Sequence, residues 1–314
     1  MRNVTRAAAD GQIDPVVGRD AEIDVLLEIL ASRRRSSPIL VGERGTGRTA
    51  IVEGLAQRIA DGNAPSELAE RQIFSVDPAQ IGAWVKTKPS LADLASAAEE
   101  SDSASRAILF LDDLAEILAA AAKAGAVNAA AMLTRVLEHS SLQCIASCTP
   151  AEFRELTQTS PRLAECFRVV HVRPLDEKGT LAVLQARRAS LEKFHGVAYT
   201  DEALEFAVKA SASYLPADPL PEKALELLDA AGARAKLSRG TPPPEIAELQ
   251  KRLRFIAHRL EAAVANHEFE KARFYSDEER KERESLRAAL ERLKIEDPSA
   301  ATVGRREIEA VIAG

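Results

Sequence analysis

The chain has 314 residues and a formal net charge of −6, from 42 Lys and Arg against 48 Asp and Glu. That length can bury a full core and fits two or three compact units, and the acidic balance argues against a binder of nucleic-acid phosphate backbones. No apolar run reaches membrane-spanning length, and Met1 to Asp10 lacks the apolar region of a signal peptide. Cys144, Cys148 and Cys166 form no disulfide framework, so a cytoplasmic protein with reduced thiols is expected.

Residues 1–12 read as a short leader. Asp20 to Arg33 is predicted helical, with Ile23, Leu26, Leu27 and Leu30 on one face. Ile39-Leu40-Val41 is a short apolar strand ending in glycine, and Thr49 to Ile59 is a helix. Ile73–Val76, Ala107–Leu111, Leu142–Ala146 and Val169–Val172 supply further strands. Short apolar strands separated by helices predict an α/β fold, a parallel sheet with helices on both faces. From Asp176 to Ser238 the pattern is helical throughout, a small all-α domain. Thr241-Pro242-Pro243-Pro244 breaks it, because proline cannot continue a helix. Beyond the break, Ile246, Leu249, Leu253, Ile256, Leu260 and Ala263 repeat at alternating three and four residues, the seam of a coiled coil. A charged helix from Phe269 to Leu293 can fold back along that seam, and Asp297-Pro298 ends the hairpin. The domains expected are a leader at 1–12, a large α/β nucleotide-binding domain at 13–175, a small helical domain at 176–240, a helical hairpin at 245–295 and a tail at 296–314.

Two motifs carry chemistry. Gly42-Glu43-Arg44-Gly45-Thr46-Gly47-Arg48-Thr49 fits the phosphate-binding loop, with arginine where lysine is usual. It follows a strand and opens a helix, so backbone N–H groups and the positive end of the helix dipole would meet a phosphate. Gly42, Gly45, Thr46, Gly47, Arg48, Thr49 and the following Ala50 are the expected nucleotide contacts, with the Thr49 hydroxyl on magnesium. The second motif is Ile108-Leu109-Phe110-Leu111-Asp112-Asp113, an apolar strand ending in two carboxylates. Asp112 would hold magnesium. Asp113 stands where a glutamate usually polarises the attacking water, and its carboxylate sits about 1.5 Å further back, one carbon–carbon bond. Cys144 and Cys148 read as small buried thiols rather than a redox pair.

The sequence also resembles the first AAA+ domain of the Clp-type unfoldases. Asp14-Pro15-Val16-Val17-Gly18-Arg19-Asp20 is similar to the segment that opens their adenine pocket. Ala50 to Ile59 is similar to the helix after their phosphate loop, and Leu220 to Asp229 to a helix of their small domain. Glu261 to Ala272 resembles the middle-domain hairpin of the ClpC branch, which carries a motif shared with the UvrB and UvrC repair proteins. The likeness runs from Gly11 across nearly the whole chain and lacks that family's N-terminal adaptor domain and second ATPase domain. It implies ATP or ADP with Mg²⁺ as ligands, Val16 and Val17 flanking adenine, and Thr149 as the residue that senses the γ-phosphate. It implies protein partners, a Clp-type unfoldase, an adaptor or a second copy, met through the hairpin at 246–293.

The chain departs from that family at each step of its cycle. Arg48 replaces the phosphate-loop lysine and Asp113 the water-polarising glutamate. Glu165 and Cys166, before Phe167, replace the paired arginines that reach a neighbouring subunit's nucleotide. Lys86, within Trp84-Val85-Lys86-Thr87-Lys88-Pro89, stands in place of the aromatic that grips substrate, and Ala217-Asp218 replaces an Asp-Arg pair. An arginine of that kind is worth on the order of 10³–10⁵ in rate. These departures predict a nucleotide-binding regulatory paralogue with weak or absent hydrolysis. The alternatives are a working ATPase subunit of a chaperone ring and, from the repair-protein motif alone, a nucleic-acid factor, against which the acidic balance counts.

Overall fold

The computed structural model describes residues 1–76, 107–125, 128–139, 142–214, 219–238, 244–265, 268–293 and 302–313. The chain forms two compact units, Met1–Arg187 with Val208–Glu226, and Arg188–Ala207 with Leu227–Gly314.

The first unit is built on a six-stranded sheet in the order β1-β3-β4-β5-β2-β6. Its strands are β1 (Arg2–Asn3), β2 (Ser37–Val41), β3 (Gln72–Val76), β4 (Ala107–Leu111), β5 (Gln143–Cys148) and β6 (Phe167–His171). All neighbouring pairs are parallel except β1 with β3. Every residue of β2, β4 and β5 is buried, which is why these strands read as continuous apolar runs rather than alternating ones. The pleat sends successive side chains to opposite faces. Leu40, Ile108, Phe110, Ile145 and Val170 join one core with α1 (Val4–Ala9), α2 (Asp20–Leu30) and α3 (Arg48–Ala60). Ile39, Val41, Leu109, Leu111, Cys144, Ala146 and Cys148 join the other. That second core takes in α4 (Leu114–Lys123), α5 (Ala129–His139), α6 (Pro150–Thr159) and α7 (Pro161–Cys166). Each of the valine, leucine, isoleucine and phenylalanine side chains contributes about 1.5–3 kcal/mol when fully buried.

The parallel register brings the strand ends together. Val41 lies beside Cys148 and His171, and Leu111 beside Ala146. The loops that leave β2, β4 and β5 therefore share the carboxyl edge of the sheet, where ligands of such folds bind.

Residues 1–12 differ from the expected leader. Arg2 and Asn3 pair with Ser75 and Phe74 at the sheet edge. The Asn3 side chain accepts from the Arg6 N–H at 2.9 Å, capping α1, and Val4 and Ala7 are buried. The stretch from 176 to 238 is also not helical throughout. It holds α8 (Glu177–His195), α9 (Asp201–Tyr214) and α10 (Glu222–Ser238), interrupted by β7 (Ala198–Tyr199). β7 pairs in parallel with β8 (Thr302–Val303), which precedes α13 (Arg305–Ile312), so the tail is folded as well. A two-residue strand carries too little periodicity to be read from sequence. In the second unit the Tyr199 hydroxyl donates to the Leu228 carbonyl at 3.1 Å, and His195 Nε2 lies 2.8 Å from Asp229 Oδ1. Gly232 stands in mid-helix, against helix propensity, because any Cβ there would run into the Tyr199 hydroxyl and the His195 ring.

Helices α11 (Pro244–Ala265) and α12 (Phe269–Leu293) form the hairpin. Ile246, Ile256, Ala263 and Ala289 are buried along it, with Leu249 and Leu286 packed beside Ile246 and Ala289. Arg292 pairs with Glu245 at 2.6 Å, joining the last turn of α12 to the first turn of α11. The aromatics divide: Phe269 and Phe274 are 73% and 61% exposed, while Tyr275 is half-buried and accepts from Arg259 Nη1 at 3.2 Å. Among the described residues no helix is long and apolar enough to cross a membrane.

Candidate functional site

The loop after β2 turns on Gly45 and Gly47, whose φ of +82° and +87° favour glycine, and Gly47 caps α3. Thr46 is wholly buried, and its hydroxyl donates back to the Glu43 carbonyl at 2.8 Å, so this side chain shapes the loop rather than facing a ligand. Arg19 holds the same loop from behind. Its Nη2 donates to the carbonyls of Thr46 and of Arg173, the latter at 3.0 Å, and its Nη1 pairs with Glu22 at 2.7 Å. Arg48 opens α3, and its Nη1 is buried with no hydrogen-bond partner among the described residues.

Thr49 and Asp112, both expected at magnesium, lie in contact: the Thr49 hydroxyl donates to Asp112 Oδ2 at 2.9 Å. Ser147 fixes the other carboxylate oxygen, donating to Asp112 Oδ1 at 2.7 Å while accepting from the Asp113 N–H at 2.9 Å. Ser147 belongs to neither sequence motif. Its signal is a hydroxyl in the otherwise apolar strand Cys144–Cys148, adjacent to the strand that ends in two acids.

Asp113 sits at φ 59°, a left-handed conformation that aspartate tolerates better than most residues, and it caps α4. Its Oδ1 accepts from the Glu116 N–H at 3.3 Å, and its Oδ2 pairs with Arg44 Nη2 at 2.7 Å. Thr149 caps α6 in a capping box. Its hydroxyl accepts from the Glu152 N–H at 3.3 Å, and its own N–H donates to Glu152 Oε2 at 2.7 Å. The box uses the Thr149 hydroxyl as an acceptor, and its proton makes no hydrogen bond among the described residues. Glu152 Oε1 lies 3.8 Å from Arg44 Nη2, so one polar chain runs from Thr149 through Glu152 and Arg44 to Asp113.

The segment proposed to flank a base packs on α3. Gln57 ties it down, donating to the Asp14 carbonyl at 2.9 Å and accepting from the Val16 N–H at 3.4 Å. Val16 presses on Gly54, where a Cβ would come within 3.0 Å of Val16 Cγ1, while Val17 is 37% exposed. Ala50 follows in the first turn of α3. Burial raises the Glu53 carboxyl above its usual range, an effect that the nearby Arg187 charge opposes. Burial likewise pushes the Cys148 thiol up to about 12, with Glu152 adding to the shift, and the Cys144 thiol to about 12. Both cysteines are therefore thiols at neutral pH. Glu165 is exposed at the end of α7 and Cys166 is half-buried there, its Sγ 3.3 Å from the Arg162 carbonyl. The loop Trp84–Pro89 and the pair Ala217-Asp218 lie outside the described residues.

Residues 15–145 match the family model of the AAA ATPase domain, and residues 176–301 that of the AAA lid domain. The chain is 36% identical over 286 residues to the chaperone protein ClpB of Oceanobacillus iheyensis, covering 91% of this chain and 35% of that protein. It is 35% identical over 286 residues to the negative regulator of genetic competence ClpC/MecB of Bacillus subtilis, again covering 91% and 35%. The Saccharomyces cerevisiae Hsp104–ADP complex superposes with a TM-score of 0.68 at 28% identity, over 93% of this chain and 41% of that one. The chain spans about a third of the length of the curated relatives it matches.

Proposed function

As an AAA ATPase domain followed by an AAA lid, the chain belongs to the AAA+ family and is homologous to the ClpB and ClpC chaperones, and from that premise we propose that it is an ATP-binding regulatory paralogue of a Clp-type machine, with hydrolysis weak or absent. The observation that carries nucleotide binding is Arg48. A buried guanidinium nitrogen without a partner costs more than a neutral donor's ~1–3 kcal/mol, and here it stands at a helix N-terminus beside a glycine turn. A phosphate oxygen fits that place. The loop N–H groups of Gly45 and Gly47, with Gly42 setting the start of the loop and with Arg48 and the turn into Ala50, would hold phosphates of ATP or ADP. Thr49 and Asp112, already in contact, would hold magnesium, which neutralises phosphate charge when bound. Val16 and Val17 would flank the base. Calorimetry should show Mg²⁺-dependent ATP and ADP binding, with Thr49→Ala weakening the Mg²⁺-dependent part by about tenfold, ~1.4 kcal/mol. No heat at millimolar nucleotide defeats the reading.

Loss of turnover is supported by Asp113, whose carboxylate is taken up by Arg44 and the α4 cap, and by Glu165 and Cys166 in place of arginines. The second reading, a working ATPase subunit of a protein-unfolding complex, has one observation in its favour: the Thr49–Asp112–Ser147 arrangement is intact.

Contact with a protein partner, namely a Clp-type unfoldase, its adaptor or a second copy, is assigned to the hairpin, on the exposure of Phe269 and Phe274. Replacing Phe269, Phe274 and Tyr275 by alanine should weaken association by at least about tenfold, ~1.4 kcal/mol, in light scattering and in pull-downs with a Clp-type unfoldase. Unchanged association with the fold intact removes the hairpin as the contact.

A further inference from the structure

Arg44 stands inside the phosphate loop, between Gly42 and Gly45, yet its side chain reaches out of the loop to Asp113 and Glu152. One nitrogen, Nη2, serves two carboxylates: Asp113 at 2.7 Å and Glu152 at 3.8 Å. Neither acid pairs with another cation among the described residues, and both are largely shielded, with 15% and 23% of their side chains exposed against 69% for Arg44. Together with Asp112, three carboxylates gather at one end of a loop otherwise built to receive anions. A guanidinium carries five N–H donors in a fixed fork. The Nε–H and the Nη1 donors of Arg44 make no hydrogen bond among the described residues, so the group can keep its acids and still present a face to a further anion.

We propose that Arg44 is the residue by which this chain discriminates nucleotides. Its charge cancels Asp113 and Glu152 at the magnesium end of the loop, so that a third phosphate is accepted there. The inference rests on the nucleotide-site reading above. It differs from the phosphate contacts of Arg48 and the glycines, which every nucleotide phosphate would share. Without Arg44 the two acids stand uncompensated where only a nucleoside triphosphate would bring further negative charge, and like charges repel. The penalty therefore falls on ATP and spares ADP.

The test is a calorimetric titration of the full chain with Mg·ATP and Mg·ADP. In Arg44→Ala, ATP affinity should fall by about tenfold or more, ~1.4 kcal/mol, while ADP affinity stays within about threefold, less than ~0.7 kcal/mol. Adding Asp113→Asn and Glu152→Gln removes both charges and keeps a cap acceptor at each helix start. That triple variant should recover most of the lost ATP affinity, and Arg44→Lys should lie between it and Arg44→Ala. An equal loss for both nucleotides would show that Arg44 only shapes the loop and would overturn the proposal, as would no loss for either. A selective loss that the triple variant fails to rescue also overturns it, because the acids would then not be the cause. If the unmodified chain binds neither nucleotide, the nucleotide-site reading itself has failed.

Discussion

A chain carrying Arg48→Lys, Asp113→Glu, Glu165→Arg and Cys166→Arg together should turn over ATP at least on the order of 10³-fold faster than the unmodified protein. The figure is the lower end of what an arginine reaching a neighbour's nucleotide supplies, about 4 kcal/mol of barrier. Each single change should do little, since groups that act as a unit are not additive. The substitutions are unequal in structural cost. Position 165 is exposed and 166 half-buried at the end of α7, so arginine is tolerated there. Position 113 is harder. The residue lies at φ 59° and caps α4, and glutamate loses the cap, typically about 1 kcal/mol. It also meets the left-handed penalty of about 1–2 kcal/mol. Melting curves therefore accompany the assay, and turnover is read across a concentration series, because paired arginines act only between neighbouring chains. Phosphate release at family rates from the unmodified chain, abolished by Asp112→Asn, would end the regulatory reading in favour of a working subunit. A fourfold variant no faster than its best single would show that the loss lies elsewhere.

Gly42→Ala should weaken Mg·ATP and Mg·ADP binding alike, on the order of 100-fold, about 2.8 kcal/mol. Gly42 is the hinge between strand and loop. Its N–H donates to the Cys148 carbonyl at 3.1 Å, keeping the start of the loop in register with β5. An added Cβ would lie 2.6 Å from the Val172 carbonyl oxygen and 2.9 Å from Thr46 Oγ1. The first is backbone. The second is a buried hydroxyl held by Glu43, so neither can swing aside and the loop must move. The same strain should lower stability by about 1–3 kcal/mol, the usual range for overpacking. Gly62→Ala serves as the control. Nothing lies within 4 Å of its Cβ, but φ is +72°, so it should lose stability through backbone strain alone and bind nucleotide normally. Retained affinity in Gly42→Ala, within about threefold or ~0.7 kcal/mol, would mean that this loop does not hold the phosphates.

Part of this architecture is legible in the sequence. Strands buried on both faces are apolar at nearly every position, so Ile39–Val41 and Ile108–Leu111 stand out in the sequence, and the glycine loop and paired acids at their ends mark the candidate site. The seam from Ile246 to Ala263 followed from spacing alone. These features are local, with their period or motif contained in a dozen residues. The tertiary structure decided who stands beside whom. β2 lies between β5 and β6, strands more than a hundred residues away along the chain. The pairing of β4 with β5 brings Ser147 to Asp112, and the order β4-β5-β2 brings Arg44 to Asp113 and Glu152. It likewise took the fold to turn Thr46 inward, to set Arg19 behind the loop and to pair Arg2 and Asn3 with β3. A sequence fixes which residues can bury or bond. Which of them meet depends on strand order and on the parallel crossovers between strands, which no local pattern encodes.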